Sequence, residues 1–146
     1  MNMVPHDWLC QQIVEKAADA IVFADREGKI RLWNSGAELI FGYSAEEVLG
    51  QPLDLIVPEN LRERHWEGYR RVMAIGVTKY GTDVLAVPAI KSDGSRMSVE
   101  FTIVLLKDET GEPVGTAAII RDATERWQRE KELKKRLADL EARHSQ

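Results

Sequence analysis

The sequence predicts an α+β domain in which helices cover one face of a five-stranded antiparallel sheet. Two observations predict this class. The predicted elements run in the order two strands, several short helices, one longer helix, three strands and a final helix. Residues 97–105 alternate in the manner of a strand that has one face on a core. The length of 146 residues suits one domain with a helical extension.

Composition excludes several classes of protein. The net charge of −4 gives no general attraction for nucleic acid or for an anionic membrane. The single cysteine excludes an internal disulfide and suits a reducing compartment. No apolar run approaches the roughly 20 residues that span a bilayer, and the N-terminus lacks the layout of a signal peptide. We therefore expect a soluble, cytoplasmic protein.

The first third of the chain predicts one helix and a strand pair. Residues 8–17 have the pattern of a short amphipathic helix, with Asp7 as its expected N-cap. Two apolar runs, 20–24 and 29–33, predict strands joined by a tight turn. Gly28 occupies the position in that turn that needs a positive φ.

Short helices follow the strand pair. Residues 37–41 predict one helix, which Gly42 ends. Ser44 and Glu47 have the spacing of a capping box at the start of the next. Pro58 precedes the longest helical pattern before the last three strands.

Residues 60–76 predict a helix with one inward-facing stripe, formed by Leu61, His65, Gly68, Val72 and Ile75 at steps of four and three. Two interpretations of His65 compete. It is either a core histidine with hydrogen-bonded nitrogens or an axial ligand to a metal or heme. The pattern alone favours the core histidine.

The last part of the chain predicts three strands and an exit helix. Residues 78–90 contain Pro88 and predict a bent or edge strand, and strands at 97–105 and 114–120 follow. From Thr124 the composition changes to that of a charged helix. Its positions 126, 130, 133, 137 and 140 follow coiled-coil spacing, which suits a solvated tail or a dimer seam equally well.

No catalytic motif is present, so we expect a regulatory domain and not an enzyme. The three histidines are far apart in sequence, and a structural zinc site would need several ligands. There is no Cys-x-x-Cys-His site, so any heme would be held noncovalently.

Several segments resemble the PAS sensor-domain family. They are Ile21 to Ile30 with its Asp25 and Gly28, Trp33-Asn34, Phe41 to Gly50, Lys91-Ser92-Asp93-Gly94, and Arg121-Asp122-Ala123-Thr124. The resemblance implies the sheet order 2-1-5-4-3. It also implies an N-terminal cap helix over residues 1–18, a sensor domain over 19–124 and a helical linker over 125–146.

Within that family the chain most resembles the heme-binding PAS domains of rhizobial oxygen-sensing histidine kinases (FixL type). The run from Arg62 to Tyr69 is similar to the setting of their proximal histidine, with one extra residue before Gly-Tyr. The resemblance implies noncovalent heme b with His65 as the proximal iron ligand and with Arg71 and Lys79 beside the propionates. The other residues it assigns to the pocket are Tyr69, Val72, Leu85, Phe101, Ile103 and Ile119.

The chain departs from those oxygen sensors opposite the histidine. Leu85 stands where they place the arginine that donates to bound oxygen, and Asp83 stands where a related group has a methionine ligand. An apolar wall cannot stabilise negative charge on bound oxygen. We therefore expect weaker oxygen binding, or a preference for carbon monoxide or nitric oxide, unless Tyr80 or a residue of the last strand supplies the donor.

Flavin is a competing cofactor in this family. The segment after Gly50 reads Gln-Pro-Leu-Asp-Leu-Ile and lacks the cysteine of the photosensing LOV branch, which excludes the cysteine–flavin photocycle. Noncovalent FMN or FAD is the less favoured choice.

The resemblance also implies partners. They are a diatomic gas, a second copy bound through the terminal helices, and an effector such as a histidine kinase, a diguanylate cyclase or a chemoreceptor. The alternative functions are a cofactor-free dimerisation or signal-relay module and a domain that binds a small metabolite.

Overall fold

The computed structural model describes residues 3–78 and 83–145. Five strands form one antiparallel sheet in the order β2-β1-β5-β4-β3, which confirms the predicted fold class. The strands are β1 (Ala20–Asp25), β2 (Ile30–Trp33), β3 (Leu85–Ile90), β4 (Arg96–Lys107) and β5 (Pro113–Asp122).

The helices precede, interrupt and follow the sheet. They are α1 (His6–Lys16), α2 (Ser35–Phe41), α3 (Ala45–Val48), α4 (Arg62–Ile75) and α5 (Thr124–His144), with 3₁₀ turns at Leu53–Ile56 and Glu59–Leu61. Helix α1 begins earlier than predicted. Asp7 therefore lies in its first turn, and Pro5 is the N-cap. Among the described residues, no helix is both long and apolar enough to cross a membrane.

Local sequence signals position the elements around β1 and β2. Gly28 has φ +81°, as the tight turn requires, and the Asp25 carboxylate accepts from the Glu27 and Lys29 amides at 3.0 Å. The capping box at Ser44 and Glu47 is formed in both directions. These local contacts fix where the chain turns back towards the sheet.

The main core lies between the sheet and helices α2 and α3. Alternate residues of β4 and β5 face it, because successive side chains of a strand alternate between the faces. Fully buried members include Ile30, Phe41 and Val48. A smaller second cluster, under α4, contains Ala24, Tyr69 and Met73.

Candidate functional site

Tyr69 anchors α4 to the end of β1. Its side chain is buried, and its hydroxyl donates to the carbonyl oxygen of Ala24 at 3.0 Å and to that of Asp25. The pKa of the Tyr69 phenol is raised above its ordinary value, and burial is the largest cause. The phenol therefore stays protonated and serves as a donor to the backbone, a different role from lining a cofactor.

Trp66 fixes the same helix one turn earlier. Its indole nitrogen donates to Oδ1 of Asp54 at 2.6 Å, and its ring lies so close to Gly28 that a Cβ there would overlap it. At the start of α4, the Arg62 side chain donates to the carbonyl of Val57 at 3.0 Å. Helix α4 is thus attached both to the β1–β2 turn and to the 3₁₀ segment.

The inward stripe predicted for α4 is displaced around the helix. Gly68 and Ile75 were expected to face inward but are exposed, and Ile75 has 63% of its surface accessible. Tyr69 and Met73 are buried in their place. The physical reason is size, since burying two large side chains removes more apolar area from water than burying a glycine and an isoleucine.

His65 lies on the flank of the buried face of α4. It is half-buried, and its ring centre is 5.0 Å from that of Trp66 and 6.0 Å from that of Tyr69. Its Nδ1 atom is buried without a hydrogen-bond partner among the described residues. Burial lowers the pKa of the imidazole, and the nearby Asp54 opposes this only in part. His65 is therefore a neutral imidazole with an unpaired polar atom, and a buried polar atom of that kind is rare in folded proteins.

The far wall of the predicted pocket, opposite His65, consists of Leu85, Phe101 and Ile103. These residues lie on the helix-facing side of the sheet. Leu85 in β3 pairs with Phe101 in β4, and Ile103 follows two residues along on the same face. All three are half-buried, as is Val72 on α4. The helices therefore leave this part of the inner face incompletely covered.

Two predicted pocket residues lie elsewhere. Ile119 pairs with Ile21 and Thr102, and its side chain is on the opposite face of the sheet from Ile120, which is in the core. Arg71 is exposed and lies about 200° around the helix from Tyr69 at 3.6 residues per turn. The structure separates both from the space beside His65. Lys79 and Tyr80 lie outside the described residues.

His65 lines neither of two concavities of the described surface. One, of about 430 Å³, is an open cleft lined by Arg26, Glu27, Trp66, Tyr69 and Arg70. The other, of about 350 Å³, lies at the N-terminus beside Trp8. Within residues 3–78 and 83–145, no group of three or more His, Cys, Asp or Glu side chains could hold a metal ion. Any iron at His65 would have to bring its remaining ligands with it, as heme does.

Burial of His65 predicts a pH dependence of stability in the cofactor-free protein. The folded-state pKa lies below the ordinary value of 6.5, so the unfolded chain takes up the proton first as the pH falls. The contribution of the neutral His65 imidazole to the free energy of unfolding is fully present above pH 6.5. It is lost as the pH falls towards the folded-state pKa. Urea unfolding between pH 8 and 5 should show a steeper acid loss for the wild type than for His65→Gln. His144→Gln, which changes an exposed histidine, should match the wild type.

Sequence reasoning missed a polar hub at Asn34. This side chain is fully buried, accepts from the amides of Ile21 and Ala37 at 2.8 and 2.9 Å, and donates to carbonyl oxygens at the end of α1. Its position immediately before Ser35 is an N-cap signal, since asparagine is among the preferred N-cap residues. The contacts to α1 carry no such local signal.

The structure is a small α+β domain in which short helices and one longer helix cover one face of a five-stranded antiparallel sheet. A family model described as the PAS fold matches residues 14–128, which is most of the chain. The chain belongs to the PAS family.

Sensor proteins are among its relatives. The sensor protein FixL of Bradyrhizobium diazoefficiens is 28% identical over 137 residues, which cover 89% of this chain and 25% of FixL. The oxygen sensor protein DosP of Escherichia coli is 28% identical over 103 residues, which cover 70% of this chain and 13% of DosP. The chain therefore spans a quarter or less of the length of these relatives.

A solved structure shares the fold. The PAS domain of a protein from Colwellia psychrerythraea is 26% identical, with a TM-score of 0.72, and the match covers 83% of this chain and 99% of that chain. This chain is a PAS domain similar to those of sensor proteins.

Proposed function

We propose that this PAS domain senses a diatomic gas or redox state through heme b bound noncovalently at His65. The observation that carries the proposal is the buried Nδ1 atom of His65, which has no hydrogen-bond partner among the described residues. A neutral imidazole is the form that binds a metal, and burial favours that form here. Heme, when bound at His65, would supply an iron that can bind a diatomic gas.

Other residues support a ligand beside His65. Leu85, Phe101, Ile103 and Val72 are apolar and only half-buried, so an apolar macrocycle would remove further surface from water. The relative DosP is an oxygen sensor, which favours the same class of input. Tyr69 and Trp66 hold α4 close to β1, and this contact has to loosen for a large planar group to enter.

The sensing specificity is proposed to follow from the far wall. Leu85 has no hydrogen-bond donor in its side chain, and its partner Phe101 has none either. Such a wall favours a neutral ligand such as carbon monoxide or nitric oxide over one that gains negative charge.

Hemin titration tests the proposal. The wild type should develop a sharp Soret band at one equivalent. His65→Ala should weaken binding by more than about 100-fold, since loss of a second-sphere partner alone costs about 10- to 100-fold. His144→Ala is the matched control, because it removes an exposed histidine. Equal binding by His65→Ala, with far-UV circular dichroism unchanged, would disprove the assignment of the ligand.

The second candidate is a cofactor-free PAS module that relays a signal by pairing of its terminal helices. Exposed leucines on α5, at positions 133, 137 and 140, and exposed Leu9 and Ile13 on α1 favour this function. We propose a homodimer through these helices, with an effector such as a histidine kinase, a diguanylate cyclase or a chemoreceptor downstream. A wild type that gives no Soret band but dimerises in sedimentation would favour this candidate over the heme sensor.

A further inference from the structure

The short segment Ala17–Asp19, between α1 and β1, is held on one side by Asn34. The Asn34 amide nitrogen lies 2.8 Å from the carbonyl oxygen of Val14, 3.4 Å from that of Ala17 and 3.1 Å from that of Asp19. Asn34 is fully buried, so water does not compete for these bonds. The last turn of α1 is thereby attached to the start of α2.

Gly36 brings the same segment into direct contact with α2. A Cβ at this position would overlap the carbonyl oxygens of both Asp19 and Ala17. The backbone of α2 therefore lies directly against the backbone of Ala17–Asp19. Any movement of α1 relative to α2 must displace this contact.

On its other side the segment is tied to the end of β5. The Arg121 guanidinium donates to Asp19 through Nε at 3.3 Å and through Nη2 at 3.1 Å. Bidentate pairs of this kind fix orientation as well as distance.

The end of β5 is in turn fastened to the start of α5. The Thr124 amide donates to the Asp122 carboxylate at 2.9 Å, and the Ser98 amide of β4 donates to the Thr124 hydroxyl at 2.9 Å. Arg126, in the first turn of α5, forms an ion pair with Glu100 of β4. The first turn of α5 therefore has fixed contacts with the strand end that carries Arg121.

We propose that Ala17–Asp19 couples the two terminal helices, so that a displacement of α1 reaches the start of α5 through Asp19 and Arg121 without involving His65. The N-terminal helix is then an input that shifts the exit-helix equilibrium on its own. This coupling does not require heme binding, so it is tested separately from the proposed function.

Hydrogen exchange on the full chain tests the coupling. Gln11→Pro disrupts α1 at an exposed position in the middle of the helix, and Gln11→Ala is its control. We expect Gln11→Pro to raise exchange in residues 13–17 and also in 124–128. Arg121→Gln should raise exchange in both segments by about two- to fivefold, the range for loss of an exposed ion pair. Arg31→Gln, which breaks the similar Arg31–Asp25 pair on β1 and β2, should change neither segment.

The double variant distinguishes coupling from general destabilisation. Once Arg121→Gln has broken the connection, adding Gln11→Pro should change residues 124–128 no further. If Gln11→Pro alone leaves 124–128 as in the wild type, the proposal is wrong. A rise of equal size in strand β1 and in 124–128 would also overturn it, because that result indicates global unfolding.

Discussion

Asn34→Leu should destabilise the domain by about 3–5 kcal/mol, because it leaves several buried backbone groups without partners at about 1–3 kcal/mol each. The amides of Ile21 and Ala37 would lose their acceptor, and the carbonyls of Val14 and Asp19 would lose their donor. Leucine has the same branched arrangement of side-chain heavy atoms but is bulkier, so overpacking adds to the loss. Urea unfolding at pH 7 measures the loss, which is a large share of the roughly 5–15 kcal/mol of a typical domain.

Asn34→Asp separates the donor bonds from the acceptor bonds. Aspartate can still accept from the Ile21 amide of β1 and the Ala37 amide of α2 but, when ionised, faces the three carbonyl oxygens as a buried negative charge. That environment raises its folded-state pKa, so the folded state binds the proton more tightly than the unfolded state. This variant should regain stability relative to the wild type as the pH falls.

A surface substitution beside the hub serves as the control. Ser35→Ala, at an exposed position, should cost less than about 0.5 kcal/mol. A loss below about 1 kcal/mol for Asn34→Leu would mean that the orphaned groups find other partners and that Asn34 is not a hub.

The features that sequence reasoning predicted are those with a local cause. The positive φ at Gly28, the capping box at Ser44 and the alternation in β4 each depend on residues within a few positions of one another. Their order, with the PAS resemblance, was enough to predict the sheet, including its strand order.

What sequence reasoning did not predict depends on contacts between distant segments. The bonds of Asn34 to α1 span 15 to 20 positions, and the Arg121–Asp19 pair spans 102. On α4, the predicted stripe was wrong at Gly68 and Ile75, because the choice of inward face depends on what lies opposite. Tyr69 is buried because its hydroxyl donates to carbonyl oxygens at the end of β1, and helical spacing alone cannot reveal that contact.

The candidate site was predicted in part for the same reason. His65, Leu85, Phe101 and Ile103 were placed by resemblance, and the structure puts the last three on the helix-facing side of the sheet. Arg71 and Ile119 were placed by the same resemblance and lie elsewhere. A resemblance transfers positions along the chain, but it transfers the face of a helix or strand only where the packing is also the same.

Gly28→Ala should destabilise the domain more than any other glycine substitution in a turn of similar backbone shape. Alanine at φ +81° costs about 1–2 kcal/mol. Its Cβ would also overlap the ring of Trp66, which the hydrogen bond to Asp54 holds in place. We expect a total loss of about 2–5 kcal/mol by urea unfolding, because the overpacking cost of about 1–3 kcal/mol adds to the backbone cost.

Gly94→Ala provides the matched control for the backbone term. Gly94 has φ +84°, nearly the same as Gly28, but a Cβ there meets nothing within 4 Å. Gly94→Ala should lower the free energy of unfolding only by the cost of the positive φ, about 1–2 kcal/mol. The difference between the two variants isolates the contact between the β1–β2 turn and α4.

The double variant Gly28→Ala/Trp66→Leu identifies the residue responsible for that difference. Removing the indole should make room for the new methyl group, so the double variant should lose less stability than the sum of the two single variants, by about 1–3 kcal/mol. Exactly additive losses would contradict the placement of Trp66 over Gly28.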